Sequence, residues 1–351
     1  MKLNMFSKSV VFLNLAFASI FMSAKEIKYK VSDIPIELTK NAKAVIRNSE
    51  IKFLVKDINS AQMDVNYAIT VLNENGIENS KFMEFYDKFI RINNNIHCTV
   101  YDKNGEKVKR IPLSDIADYS AVSGYSIYED NRVKYIDPEY RTTPFTVEYS
   151  FQVKFKGILY YPPWVLYNDY NVAIEKAKFQ VIVPKDIKFR YYESNMDTKV
   201  KIEKNDIFIS YTWDTTNLYA IKEEPYCMPY FEYTPALFTA PSDFEIDGYK
   251  GNCDTWENFG VWINKLNAGR DIIPDESKEY INSLIKDAKD DTEKARILYN
   301  YLQNKTRYVS IQVGIGGYQP FEAETVDRLS YGDCKALTNY MKTITVPDSN
   351  L

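Results

Sequence analysis

From Ile27 to Thr239 apolar residues recur at every second position, and that period limits what the chain can become. The stretch "MDVNYAITV" (Met63–Val71) puts Met63, Val65, Tyr67, Ile69 and Val71 on one side. "FTVEYSFQVKF" (Phe145–Phe155) repeats the pattern with Phe145, Val147, Tyr149, Phe151, Val153 and Phe155. "IFISYTW" (Ile207–Trp213) does so again with Ile207, Ile209, Tyr211 and Trp213. Successive side chains of a strand point to opposite faces, so each stretch is a strand with one face to bury. Turn chemistry lies between them at Asn73–Gly76, Asp102–Gly105 and Glu203–Asp206. Many alternating strands joined by tight turns predict an antiparallel β-sandwich rather than a parallel sheet. The 29 Tyr and 19 Phe against 12 Gly agree, because aromatic side chains suit a pleated, half-buried surface.

Beyond residue 240 the period shifts. "EEPYCMPYFEYTPALFTAPSDF" (Glu223–Phe244) holds four prolines and no sustained period, which reads as a crossing between domains. A helical region is expected from about Asp243. Thr255–Leu266 places Trp256, Phe259, Ile263 and Leu266 at helical spacing, with Thr255 as N-cap. Asp275–Lys289 does so with Tyr280, Ile281, Leu284 and Ile285. Asp290–Tyr308 opens on acidic residues with a Thr cap and aligns Ala295, Leu298, Tyr299 and Leu302. The expected fold class is therefore α+β, strands first and helices after. The expected division is residues 1–24 as a signal peptide, 25–240 as the sandwich and 241–351 as the second region.

The N-terminus supports the first of these spans. Lys2 and Lys8 precede the apolar run Val10–Met22, and Ser23-Ala24 offers a small-residue cut site before Lys25-Glu26. That pattern predicts a secretory signal, with an uncut anchor as the alternative because Met22 fits the cleavage rule poorly. No later segment is apolar enough to span a membrane, so a soluble, exported chain is expected, periplasmic or secreted. Net charge is −4 and no block of Lys and Arg stands out, which argues against nucleic acid as a partner.

One short run carries reactive chemistry. In "LSYGDCKALTNYM" (Leu329–Met341), Leu337, Tyr340 and Met341 share one helical face, which makes Asp333 the N-cap and Cys334 the first helical residue. A thiol there meets the positive end of the helix dipole and unpaired N–H groups, which favour thiolate; Lys335 adds to this and Asp333 opposes it. Gly332 would let backbone pass close to a substrate. On residues alone, a buried structural cysteine is the competing reading. Three cysteines remain; Cys227 and Cys253 flank one Pro-rich stretch and pairing between them stays open, as does the state of Cys98. With one histidine and no Cys/His cluster at zinc spacing, no metal or other cofactor is expected.

The run Thr292–Met341, through its "RYV", "GGYQP" and "GDCK" segments, closely resembles the start of a bacterial transglutaminase-like core. Upstream, "TVLNENG" (Thr70–Gly76), "VYDKNG" (Val100–Gly105), "YEDNRVKY" (Tyr128–Tyr135) and "YYPPW" (Tyr160–Trp164) resemble the β-rich domain of unknown function that precedes such cores in exported Gram-negative proteins. The resemblance implies a papain/transglutaminase-like second domain, with Cys334 as nucleophile and a protein or peptide amide as substrate for hydrolysis or crosslinking. It also implies a downstream His and Asp, and none of the residues after Cys334 is His. The chain therefore reads as a truncated, inactive member. On that reading the face Leu337, Tyr340 and Met341 lacks partners, and the segment after Ser330 is expected to fray. His97, between Ile96 and Cys98 in a strand, belongs to the other domain and faces solvent. Two other readings are a non-catalytic β-sandwich that binds protein or glycan through aromatic surfaces such as "YYPPW", and a non-functional gene fragment.

Overall fold

In the computed structural model, residues 27–345 are described apart from 94, 125, 230 and 231. The expected signal peptide, residues 1–24, and the last six residues lie outside that range. A single helical turn, α1 (Ile36–Thr39), precedes the strands. In chain order these are β1 (Ala44–Val55), β2 (Ser60–Val71), β3 (Phe82–Tyr86), β4 (Ile90–Ile92), β5 (His97–Tyr101), β6 (Lys107–Ile111) and β7 (Ala117–Ser120). Next come β8 (Ser126–Glu129), β9 (Arg132–Ile136), β10 (Phe145–Lys156), β11 (Trp164–Val165), β12 (Val172–Pro184) and β13 (Phe189–Ser194). The series continues with β14 (Lys201–Lys204), β15 (Phe208–Leu218), β16 (Ala236–Pro241), β17 (Asp243–Ile246) and β18 (Tyr249–Asn252). Helices then dominate: α2 (Trp256–Asn267), α3 (Asp275–Ile285), α4 (Asp291–Lys305), α5 (Ala323–Leu329) and α6 (Cys334–Thr345). Three two- or three-residue strands sit among them, β19 (Arg307–Tyr308), β20 (Ser310–Gln312) and β21 (Tyr331–Gly332).

Nine strands form the main sheet, in the order β14-β15-β12-β1-β2-β10-β5-β6 with β4 added on β10. The register sets Phe145 opposite Val71 and Val147 opposite Ile69, so the alternating apolar residues of neighbouring strands share one face. Two three-stranded sheets cover it. Sheet β11-β16-β13 brings Trp164 and Leu237 onto Ile46, Phe53, Phe179 and Trp213. Sheet β3-β9-β7 brings Phe82 and Ile136 onto Val71, Val147 and Tyr149. Burying such a face is what stabilises alternating strands, at roughly 25 cal/mol per Å² removed from water.

Several expectations need correction. The main sheet is mixed, because β1 and β12 run parallel, from Ala44 opposite Val172 to Leu54 opposite Ile182. Alternation specifies a face and says nothing of partner direction. Asn73–Gly76 is no hairpin turn: Asn73 accepts a hydrogen bond from the Asn75 N–H and caps a 3-10 helix, Glu74–Ser80. The Pro-rich crossing ends in a strand, β16, and the hairpin β17-β18 precedes the first long helix. Ile207 is exposed just ahead of β15.

Among the helices, Thr255 caps α2 as expected, while α4 is capped by Asp290 rather than by a Thr. Trp256, Tyr280 and Tyr299 are more than half exposed; the buried contacts are made by Trp262, Leu266, Ile281, Leu298 and Leu302. Up to Thr345 the segment expected to fray is helical and packed; residues 346–351 lie outside the described range. Helix α6 runs to Thr345, and Ala336, Tyr340 and Ile344 are fully buried against Ile273, Ile281, Leu298 and Val326. Helices α4 and α5 cover the face that was expected to lie open. No helix among the described residues is long and apolar enough to cross a membrane, which says nothing of strands.

Candidate functional site

The chain reaches Cys334 through tightly held backbone. Helix α5 ends at Ser330, whose φ of 57° turns the chain into β21. There β21 lies parallel to β19, with the Arg307 N–H donating to the Ser330 carbonyl (3.1 Å) and the Val309 N–H to that of Gly332 (3.0 Å). Asp333 follows, 3% exposed, and its Oδ1 accepts from the Ala336 N–H at 2.9 Å. This satisfies one of the orphan donors of the first turn, so the expected N-cap is present. The other carboxylate oxygen takes the Lys335 ammonium. Lys335 is therefore paired with the cap rather than standing as a free charge beside the thiol.

Gly332 serves internal packing rather than approach to a substrate. A Cβ there would lie 2.9 Å from Ala336 Cβ and 3.4 Å from Leu337 Cδ2 and Val326 Cγ2. Gly332→Ala is expected to cost about 1–3 kcal/mol through overpacking. Urea unfolding of the full chain checks this; an unchanged midpoint would show that α6 moves away freely.

Cys334 is exposed and lines a cavity of about 510 Å³. Phe259, Ile263 and Asn267 of α2 form one wall, Gly317, Tyr318 and Pro320 another, and Thr338, Asn339 and Lys342 of α6 the floor. Both outer walls are anchored. Gln319 Nε2 donates to the Leu266 carbonyl (3.1 Å), and Asn339 Nδ2 and the Ala323 N–H both donate to that of Arg270 (2.7 and 2.8 Å). The "GGYQP" segment is thus brought beside the cysteine. Among the described residues the lining contains Lys335 and Lys342 but no histidine or carboxylate.

The other candidates lie elsewhere. His97 is exposed on β5 of the main sheet, its Nδ1 beside the Arg110 guanidinium. All four cysteines are free thiols, so the Cys227–Cys253 pairing left open by the sequence is not formed. Burial pushes the Cys98 thiol up to about 12 and raises that of Cys253, whereas Cys227 is exposed. Tyr161 and Trp164 of "YYPPW" are buried core, leaving Tyr160 outside. No group of three or more potential metal ligands occurs among the described residues. Alternation and helical spacing had no means of singling out the walls from α2 or the Arg270 carbonyl, which depend on tertiary contact.

The profile of a domain of unknown function with a solved structure, DUF3857, matches residues 59–222, from the start of β2 to just past β15. No curated protein matches the sequence. Among solved structures, a candidate protease from Parabacteroides distasonis shares the fold, with 15% identity and a TM-score of 0.62. The match covers 86% of this chain and 58% of that one, so this chain spans less than two thirds of that protein's length. An M1 zinc metallopeptidase from Deinococcus radiodurans aligns at 9% identity over 60% of this chain and 46% of that one; its TM-score of 0.27 is too low to bear on the fold.

Proposed function

We propose that this chain carries the nucleophile of an exported, transglutaminase-like acyl-transfer site, with Cys334 as the attacking thiol and a protein or peptide amide as substrate. One observation carries the reading: Cys334 opens α6 on the wall of a cavity, beside the "GGYQP" residues quoted for the resemblance. The shared fold with a candidate protease supports an amide substrate. The N-terminal pattern Lys2–Ala24 supports export, and the division at residue 240 is proposed with it.

In such a step the sulfur attacks the amide carbonyl, the C–N bond breaks and the amine leaves with a proton. The thioester then passes its acyl group to water or to a second amine. A base has to take the thiol proton and return it to the leaving amine. Among the described residues the cavity lining offers no histidine or carboxylate for this, and its two lysines are engaged by Asp333 and Asp271. The chain by itself is therefore proposed to react once with an electrophile and not to turn over.

Iodoacetamide labelling across a pH series, with peptide mapping, is expected to rank Cys334 first. Exposed Cys227 should follow, with Cys253 and Cys98 slow. Amide hydrolysis and amine incorporation should both be absent. If Cys334 labels slowest, the assignment is wrong. Turnover that Cys334→Ala abolishes would show that a base reaches the thiol from outside the lining.

A further inference from the structure

A second cavity, about 490 Å³, opens where β3 and β11 approach the apolar face of the main sheet. Ile46, Ile51, Met63, Val65, Phe151 and Trp164 give it an apolar body. Among the described residues, its one carboxylate comes from β3. On β3, Met83 and Phe85 are exposed and Phe82 is buried, so Glu84 shares the inward face with Phe82. Its cross-strand neighbour Lys134 donates instead to Asp118 Oδ2 at 2.8 Å. Glu84 has no hydrogen bond or ion pair among the described residues, and burial alone pushes its carboxyl up to about 7. Asn79 donates through Nδ2 to Asp169 (2.9 Å), while its Oδ1 is buried without a partner. Lys81, also in the lining, is taken by Glu78 at 2.6 Å.

A carboxyl drawn into a mostly apolar cavity, with its neighbouring lysines taken by other carboxylates, lacks a counter-charge. That charge is supplied by a ligand that brings N–H donors and a positive charge on an apolar stem. Mostly apolar cavities of this size with a few converging polar groups are characteristic of small-molecule sites. We propose that this cavity binds a small amphipathic primary ammonium, its head on the Glu84 carboxylate and its stem against Ile51, Met63 and Trp164. The proposal is independent of Cys334, which lines a different cavity.

Calorimetric titration of the full chain with n-octylammonium at pH 8, where Glu84 is ionised, tests it. One saturable site is expected, with n-octanol and octanoate at least about tenfold weaker, because a hydrogen bond to a charged group is worth that factor or more. Glu84→Gln should weaken n-octylammonium by about the same factor and leave n-octanol unchanged, separating lost charge from a lost fold. If Glu84→Gln does not fold, the ligand series on the natural chain decides alone. Unsaturable heats, octanoate binding as tightly as n-octylammonium, or indifference to Glu84→Gln in a folded variant would each overturn the proposal.

Discussion

Trp262→Ala is expected to lower the unfolding free energy by about 3–5 kcal/mol, the range for deleting a large buried aromatic side chain. Trp262 is fully buried, with ring centroids 5.0 Å from Phe244, 5.5 Å from Phe259 and 5.5 Å from Tyr318. Its indole N–H donates to the Tyr249 carbonyl at 3.3 Å. The indole also rests on Gly251, where an added Cβ would lie 2.7 Å from it. One side chain thus joins the hairpin β17-β18, helix α2 and the Tyr318 loop. Since domains are stable by about 5–15 kcal/mol in all, such a loss is a large share. Urea unfolding with amide exchange on α2 measures it; a loss below about 1 kcal/mol would show that the surroundings collapse into the space.

The same residue shows how far the sequence could be read. Helical spacing put Trp256, Phe259, Ile263 and Leu266 on one face, and α2 is the helix it indicated, capped at Thr255. The centre of the buried arc instead falls at Trp262 and Leu266, and Trp256 is 85% exposed. A helix's apolar stripe is broader than a single row of positions, so spacing identifies the helix more firmly than its inward direction. Caps were legible at Thr255 and Asp333 because each is a local side-chain-to-backbone bond within three residues. The parallel β1–β12 pairing was not, since more than a hundred residues separate its strands and no local pattern records it. Glu84 illustrates the same limit at a site. In "FMEFY" a carboxylate on the inward face looks like any strand polar residue until β3 is set against the main sheet and Glu84 lines the cavity between them.

Asp327→Ala is expected to cost about 3 kcal/mol, the low end for breaking a buried ion pair, because Lys305 keeps some access to water. Asp327 Oδ1 accepts from Lys305 Nζ at 2.7 Å and from the Tyr340 hydroxyl at 2.6 Å, and Oδ2 accepts from the Ser277 hydroxyl. One carboxylate therefore ties α3, α4 and α6 to its own helix, α5, and α6 carries Cys334. Burial works against the charge, yet the hydrogen bonds from Lys305, Ser277 and Tyr340 outweigh it and hold this carboxyl below its ordinary 3.8. A carboxyl depressed on folding contributes stability that is present above its unfolded value and is lost as pH falls through the folded one. The natural chain should accordingly lose stability as pH drops below about 4. Asp327→Asn, which keeps an acceptor but no charge, should lose less over the same interval. Urea midpoints from pH 7 down to pH 3 compare the two. Parallel pH profiles would mean that folding leaves the Asp327 carboxyl unshifted, so that its ion pair adds nothing to holding the helices around Cys334.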